Sequence, residues 1–413
     1  MDVSIVGAGT TRFGRHPDGD LRSLAEEATR TALDDARLSP ADVGMVVFGN
    51  AADGVLHGQE MVRGEIALRH AGFRGVPVLN VENACASSSS AFHVACLAVR
   101  AGAADVALAV GVEKLTHPDK ERSFAAVATA TDLVAEPELR RALAAALLGD
   151  GDPAQRVPFD RSPLMDRYAH KARRYLDRTG ASVEDFARVA EKNRWHGSFN
   201  PHAQFRTPVT IDEVLVSRMI TDPLRLLMCA PVGDGAAALV VASRDWARRK
   251  GRAAVGVAAC AVAAGGSNPL ARAPSERAAR AAYEQAGLGP VDVDVAEVHD
   301  ACAPAELWIY EELGFCADGD GAKLLRDGST HLGSRLPVNA SGGLLSKGHP
   351  LGATGCGQLV ELTDQLRGRA GARQVPGAAV GLAHNCGGLV DGEEAVAVVT
   401  ILRAPEPVRP RRR

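Results

Sequence analysis

The chain has 413 residues, enough for roughly two to three domains or one large duplicated unit. Hydrophobic residues make up 46% and charged residues 23%, values that exclude wholesale disorder, a collagen-like chain and a membrane-embedded class. Aromatic residues reach 4% and the formal net charge is -3, so neither base stacking nor a general attraction for polyanions is indicated, and no nucleic-acid partner is expected.

The cysteines Cys85, Cys96, Cys229, Cys260, Cys302, Cys316, Cys356 and Cys386 are too sparse and irregular for a disulfide framework, which predicts a reducing compartment. No Cys-x-x-Cys pair and no histidine pair at zinc spacing occurs, so no metal is expected. No run of apolar residues is long enough for a membrane span. The chain opens directly on the strand-like Val3-Ser4-Ile5-Val6, without a charged and then apolar leader. Together these features predict a cytoplasmic protein.

Short β-branched runs alternate with longer alanine-rich stretches, the pattern of an α/β protein whose strands are buried on both faces. In chain order, Met45–Phe48, Val106–Val110, Ala237–Val241 and Ala395–Val399 read as strands, and Leu24–Ala36 and Glu276–Ala286 as helices. Displacing the sequence by 250 positions matches Ala28, Arg30, Ala32, Ala36, Leu38, Pro40, Asp42 and Val43 with Ala278, Arg280, Ala282, Ala286, Leu288, Pro290, Asp292 and Val293. Likewise Val76-Pro77-Val78-Leu79-Asn80 leads to a small-residue turn and a helix over Cys85–Arg100. Leu336-Pro337-Val338-Asn339 leads through Gly342, Gly343 and Gly348 to a helix near Ala353–Arg367. Two similar halves are predicted, over 1–245 and 250–405, with a basic tail at 406–413. Residues from about 116 to 222 are richer in charge and proline, hold turn material at Gly149-Asp150-Gly151-Asp152-Pro153, and read as an insertion folding over one face.

Gly7-Ala8-Gly9-Thr10-Thr11-Arg12 imitates a dinucleotide fingerprint, but Arg12 stands where the third glycine belongs and no acidic residue closes a second strand at the expected distance. A Gly-x-Ser-x-Gly elbow and a P-loop are both missing. In Asn83-Ala84-Cys85-Ala86-Ser87-Ser88 a cysteine lies between a strand and a helix rich in small residues. Such a cysteine is often a core residue. At a helix N-terminus, however, unpaired N–H groups and the helix dipole lower a thiol's pKa and raise its nucleophilicity. A nucleophile needs a base, and Gly348-His349-Pro350-Leu351-Gly352-Ala353-Thr354-Gly355 puts His349 in the equivalent part of the second half.

Cys85-Ala86-Ser87 after a strand, Gly342-Gly343 leading to the His349 motif, the strand end Glu297-Val298-His299-Asp300, and Gly381-Leu382-Ala383-His384-Asn385-Cys386-Gly387-Gly388 together resemble thiolases, particularly those of the sterol carrier protein type, in order and spacing over nearly the whole chain. Asn193-Arg194-Trp195-His196, Asn200-Pro201, Asp222-Pro223-Leu224-Arg225-Leu226 and Asp234-Gly235-Ala236-Ala237-Ala238 extend the likeness through the insertion. The resemblance implies an α/β thiolase fold, with duplicated βαβαβαββ halves in a five-layered α/β/α/β/α core, the insertion as a lid, and a homodimer formed through the first half.

For chemistry, the resemblance implies ping-pong acyl transfer, with carbon–carbon bond formation or cleavage at a 3-oxoacyl-CoA. Cys85 would be acylated after His349 takes its proton, and Cys386 would be the second acid/base. His299 and His349 would hold the thioester oxygen, and the backbone N–H groups of Cys85 and Gly388 would form a second oxyanion hole. Fixed donors of this kind stabilise the charge that develops on oxygen. Coenzyme A thioesters would be substrates, with no tightly bound cofactor. Arg167, Lys171 and Arg174 share one helical face and are offered as partners for CoA phosphates, against the alternative of a solvated face. Gly265-Gly266-Ser267-Asn268-Pro269 resembles the family turn beside the pantetheine arm.

The sequence departs from the pattern at four places. Ala301 and Cys302 stand where the type often has Cys then Phe, and Cys302 is expected to point away from the chemistry. Ser88 replaces a glycine and is expected to narrow the pocket floor. Leu389-Val390-Asp391-Gly392-Glu393-Glu394 replaces further glycine. Two other functions fit the residues: a biosynthetic C-acyltransferase or aldol-type lyase working with a small OB-fold/zinc-ribbon partner, and a non-catalytic acyl-CoA or lipid-binding scaffold subunit.

Overall fold

Strand β1 (Val3–Thr10) is buried along almost its whole length, as an unbroken run of small and β-branched residues requires. A Cβ on Gly7 would lie 2.2 Å from the Ala32 carbonyl oxygen, and one on Gly9 would lie 2.5 Å from that of Ala28. These glycines therefore let helix α1 (Leu21–Ala36) lie directly on the strand, and the apparent dinucleotide fingerprint is a packing motif. The computed structural model describes residues 2–138, 141, 163–251, 254–266 and 272–405. The basic tail at 406–413, the turn at 149–153 and Ser267 lie outside the described residues.

The remaining strands are β2 (Met45–Gly49), β3 (Val78–Val81), β4 (Val106–Lys114), the small hairpin β5 (Met219–Thr221) and β6 (Leu224–Arg225), β7 (Asp234–Ser243), β8 (Val255–Ala264), β9 (Val295–Glu297), β10 (Val380–Val390) and β11 (Glu393–Arg403). Hydrogen bonding links them in the order β3-β2-β4-β7-β1-β8-β11-β10-β9, apart from the separate β5-β6 pair. Read outward from the centre, the first half runs β1, β7, β4, β2, β3 and the second runs β8, β11, β10, β9. The same winding is used twice, and the second half's outermost strand is reduced to the single bridge Ala296↔Val338. The halves meet through three antiparallel residue pairs, Val3↔Val257 to Ile5↔Val255. Beyond this short seam the two sheets diverge, which leaves room for helices between them.

Three packed cores define the layers. One lies between α1 and the first sheet. The second fills the space between the sheets, around the central helices α2 (Ser87–Arg100) and α8 (Thr354–Leu366). The third lies outside the second sheet, where α5 (Pro274–Ala286), α6 (Ala303–Glu312) and the lid pack. The result is a five-layered α/β/α/β/α core with duplicated halves. The repeat seen at an offset of 250 is a shared turn: Pro40–Asp42 and Pro290–Asp292 are both single 3₁₀ turns. In each the aspartate closes the turn, Asp42 Oδ2 accepting from the Ser39 N–H and Asp292 Oδ2 from the Gly289 N–H, both at 2.8 Å.

The lid includes α3 (Pro163–Arg178) and α4 (Val183–Ser198). Helix α4 starts at a capping box, where the Ser182 N–H donates to Asp185 Oδ2 at 2.7 Å. Its inner face carries Lys192 and Asn193 into the third core. There Lys192 Nζ donates to Glu306 of α6 at 2.5 Å and to the Val338 carbonyl at 3.0 Å, while Asn193 Nδ2 reaches Asp300 at 2.8 Å and Glu306 at 2.6 Å. Both Lys192 and Glu306 are fully buried. Removing one partner of such a pair leaves the other charge without compensation, at a cost of about 3–5 kcal/mol. Lys192→Met should therefore lose stability of this order in urea unfolding, and an unchanged midpoint would show that the pair does not hold the lid.

Candidate active site

The two central helices touch at their N-termini. A Cβ on Gly355 of α8 would lie 1.9 Å from Ser89 Oγ and 2.8 Å from its backbone nitrogen. Beside this contact, the Cys356 N–H donates to Ser88 Oγ at 3.0 Å. Ser88 thus joins the two helices and is absent from the cavity lining, which corrects the expectation that it narrows the pocket floor. The same crossing brings together the turn before α2, which carries Cys85, and the loop before α8, which carries His349. Cys85 sits in the 3₁₀ turn Ala84–Ala86, presented by Ala84 at φ 47. That left-handed conformation costs a non-glycine residue about 1–2 kcal/mol.

The Cys85 sulfur and one ring nitrogen each of His299 and His349 all lie within 4.8 Å of one another, and the two imidazole rings meet edge to face with centroids 5.1 Å apart. His349 Nδ1 lies 2.8 Å from Thr354 Oγ1. His299 Nδ1 lies 3.2 Å from Asn385 Nδ2, and the His299 N–H donates to His384 Nδ1 at 3.5 Å. Beside His299, the Asp300 carboxylate accepts from the Leu344 N–H at 2.7 Å, at the start of α7 (Gly343–Lys347). This bond fastens the end of the β9 segment to the glycine turn that precedes His349. Cys386 enters from β10, whose next residue passes tightly beneath Cys85: a Cβ on Gly387 would lie 2.1 Å from the Asn83 carbonyl oxygen.

These groups line one cavity of about 1500 Å³, with Cys85, His299, His349, Cys386, Gly387 and Gly388 in its wall. Phe13, Leu115, Val127, Leu164, Met165, Leu227 and Leu345 make much of the rest apolar, and Tyr168 of the lid lies over the site, stacked on Trp308 at 6.4 Å. Arg12, Arg15, Lys120, Arg194 and Arg218 also line it. All but Arg194 are exposed, so the solvent side of the cavity is cationic.

Burial dominates the electrostatics of the site. The helix N-terminus does not produce the expected activated thiol. Burial, followed by the nearby Glu113 carboxylate, pushes Cys85 up to about 12, against a smaller opposing effect of a backbone hydrogen bond. Burial also pushes His349 down to about 3, with the Lys347 charge acting in the same direction, and drives Cys386 well above the usual thiol range. Glu113 is itself buried and raised to about 7 by desolvation, although backbone N–H groups work against the shift. Its carboxylate accepts from Asn50 Nδ2 at 2.9 Å, from the N–H groups of Ala51 and Ala52 at 3.1 Å, and from the Gly352 N–H at 2.9 Å. It therefore clasps the His349 loop to the first half. Sequence reasoning passed over Glu113, because a lone glutamate at a strand end gives no local signal.

Several other predicted residues can now be placed. Arg167 pairs with Glu136. Lys171 lies between Glu394 at 3.2 Å and Glu312 at 3.5 Å, and 4.6 Å above the Trp308 ring. Arg174 is exposed on α3 and lies outside the cavity lining. The cations that line the cavity are others, and this helical face fits the alternative of a solvated, ion-paired surface. Cys302 is buried opposite Cys229 in an isolated antiparallel bridge and does not line the cavity. The run from Leu389 to Glu394 is a tight hairpin, with Asp391 at φ 52 and Gly392 at φ 83 between the pairs Val390↔Glu393 and Leu389↔Glu394. Asp-Gly between paired strands is the strongest short hairpin signal, a signal that the sequence carries and that the reading of this run as a departure from the glycine pattern passed over.

A thiolate and two imidazoles are also donor types that zinc takes. The expectation of no metal, drawn from ligand spacing along the chain, therefore does not reach the Cys85, His299 and His349 cluster. A thiol held at about 12 contains little thiolate at neutral pH, and the thiolate is its nucleophilic form. Alkylation of Cys85 by iodoacetamide, followed by peptide mass spectrometry, should be slow at pH 7 and still rising at pH 10. An ordinary thiol levels off above about pH 8.5, and a plateau of that kind would contradict the assignment.

Comparison with known proteins supplies the family. The thiolase N-terminal domain matches residues 3–245 and the thiolase C-terminal domain-like family matches 245–402. An acetyl-CoA acetyltransferase of Methanothermobacter thermautotrophicus is 39% identical over 94% of this chain and 96% of its own length. Sterol carrier protein 2 of Homo sapiens is 37% identical over 93% of this chain and 70% of its own. Among solved structures, the Ltp2-ChsH2(DUF35) aldolase superposes with a TM-score of 0.76 at 27% identity, covering 98% of this chain and 99% of that one. With both halves matched in order and the cysteine and histidine loops brought together at their junction, the chain belongs to the thiolase family.

Proposed function

We propose that the protein makes or breaks a carbon–carbon bond in a 3-oxoacyl-CoA through an acyl-Cys85 intermediate. The observation that carries this reading is the meeting of Cys85, His299 and His349 within 4.8 Å in the wall of a large cavity that Cys386 also enters. In the acylating step, Cys85 Sγ attacks a thioester carbonyl as its proton passes to His349, and CoA leaves as the thiol, its sulfur taking a proton from Cys386. In the condensing direction, the Cys386 thiolate so formed removes a proton from the Cα of a second acyl-CoA, that carbon attacks the acyl group on Cys85, and the Cys85 sulfur leaves and takes back the proton held by His349. His299 and His349, with the backbone N–H groups of Cys85 and Gly388, serve as the oxyanion donors.

The apolar walls suit an acyl chain, and the exposed cations at the cavity's solvent side suit the CoA phosphates. A homodimer through the first half is supported by the edge strand β3 with Leu79 exposed, and by Met61, Val62 and Leu97 exposed on the same half. Cytoplasmic residence keeps the support of cysteines that are all unpaired. No helix among the described residues is long and apolar enough to cross a membrane.

A second reading has support of its own. The likeness to the Ltp2-ChsH2(DUF35) aldolase over nearly the full length favours an aldol-type reaction carried out with a small partner protein, and the comparisons lean towards it more than towards the acyl-enzyme. The retained Cys85, His349 and Cys386 lean the other way. Brief exposure to acetyl-CoA or acetoacetyl-CoA, followed by intact-mass spectrometry, separates the two. The acyl-enzyme reading expects an acyl adduct that Cys85→Ala abolishes. If no adduct forms, and if the Cys85→Ala protein supplied with its partner still cleaves a 3-hydroxyacyl-CoA, the aldol reading replaces it.

A further inference from the structure

Thr354 opens helix α8 and is fully buried behind His349. Its hydroxyl carries one proton and has two neighbours, His349 Nδ1 at 2.8 Å and the Pro350 carbonyl oxygen at 3.0 Å. A carbonyl oxygen can only accept. When the Thr354 O–H points to Pro350, the contact with the ring must be made by an Nδ1–H donating to Oγ1, and Nε2 is then bare. When the O–H points to Nδ1 instead, the ring proton sits on Nε2. A histidine in that state has no lone pair with which to receive the Cys85 proton.

Two features select the first arrangement. Pro350 lies four residues before Thr354, and a threonine hydroxyl in a helix habitually bonds back to the carbonyl at that spacing. In addition, once Nε2 has taken a proton the imidazolium must donate from Nδ1 as well, so the group behind it has to be able to accept. Thr354 can do so because Pro350 takes its own proton. We propose that Thr354 is a positioning residue that holds the ring proton of His349 on Nδ1 and keeps Nε2 free to accept from Cys85. The proposal rests on the reading of His349 as the base for Cys85. It also gives the second half a neutral counterpart to the carboxylate that orients a catalytic histidine in other enzymes.

The test compares wild type, Thr354→Val and Thr354→Ser, with His349→Asn and the double variant Thr354→Val/His349→Asn. Valine matches threonine in shape and removes only the hydroxyl, and melting curves check that each variant folds. With 15N-labelled histidine, NMR should find the His349 proton on Nδ1 in wild type and in Thr354→Ser, and a shift towards Nε2–H in Thr354→Val. Acylation of Cys85 by acetyl-CoA, followed by intact mass, should slow at least about tenfold in Thr354→Val and stay within about threefold in Thr354→Ser. The double variant should be no slower than His349→Asn, because the hydroxyl acts only through the ring. The same tautomer in wild type and Thr354→Val, or a double variant slowed by the full valine factor, would overturn the proposal. A wild type that takes no acyl group, yet shows an Nδ1–H that valine removes, would overturn the acyl-enzyme reading and leave the role of Thr354 standing.

Discussion

The site depends on how closely two helices can approach. Helices α2 and α8 come from different halves, and their N-termini meet with Gly355 almost touching Ser89 and Ser88 bonded to the Cys356 N–H. A larger side chain at either place would push the helix starts apart, and a displacement of about 1 Å in reacting groups can cost two orders of magnitude in rate. The many small residues in this chain therefore have a specific use. They spend side-chain volume at the layer where the two halves must touch, and aliphatic packing is left to the sheets and the outer helices.

Around that contact, buried polar groups fix the loops. Glu113 clasps Gly352 and the Asn50–Ala52 segment, so the His349 loop of the second half is tied to the first. Asp300 binds the start of α7, and Asn339 Nδ2 donates to Glu306 at 2.6 Å while its Oδ1 accepts from the Val298 N–H at 2.8 Å. Lys192 and Asn193 bring the lid into the same network. Loops that carry reactive side chains usually keep freedom of their own. Here that freedom is removed by carboxylates and amides with several partners each, at positions where an unpaired group would be expensive.

The sequence made the fold legible because its signals are local. The helix–turn–strand unit that recurs at an offset of 250 is a proline-led 3₁₀ turn closed by an aspartate, and its geometry follows from residues next to one another. Cys85, His349, His299 and Cys386 were legible through resemblance, and they do face one cavity. What escaped was whatever depends on distance in space. Glu113 gives no signal at its own position, since its partners lie more than sixty residues away or in the other half. The face of Arg167, Lys171 and Arg174 has the right helical spacing, but spacing does not reveal that Glu394 and Glu312 occupy Lys171. The thiol's ionisation was misjudged for the same reason. A helix N-terminus is visible in sequence, whereas the burial of the thiol and, after it, the carboxylate packed nearby are not.

That misjudgement bears on how the site would work. With Cys85 held up to about 12 and His349 down to about 3, the resting pair is neutral, a thiol beside an uncharged imidazole. A standing thiolate would be open to any passing electrophile and would already have been stabilised in the ground state, where stabilisation adds nothing to the chemical step. In the chemistry proposed above, charge would appear only as sulfur attacks a bound thioester, and mainly on the oxygen that the imidazoles and backbone N–H groups are proposed to hold. Fixed donors in a dry pocket act most strongly on charge that is created in place. The burial that makes Cys85 a poor free nucleophile is thus consistent with proposed chemistry in which reactivity develops only with substrate in the cavity.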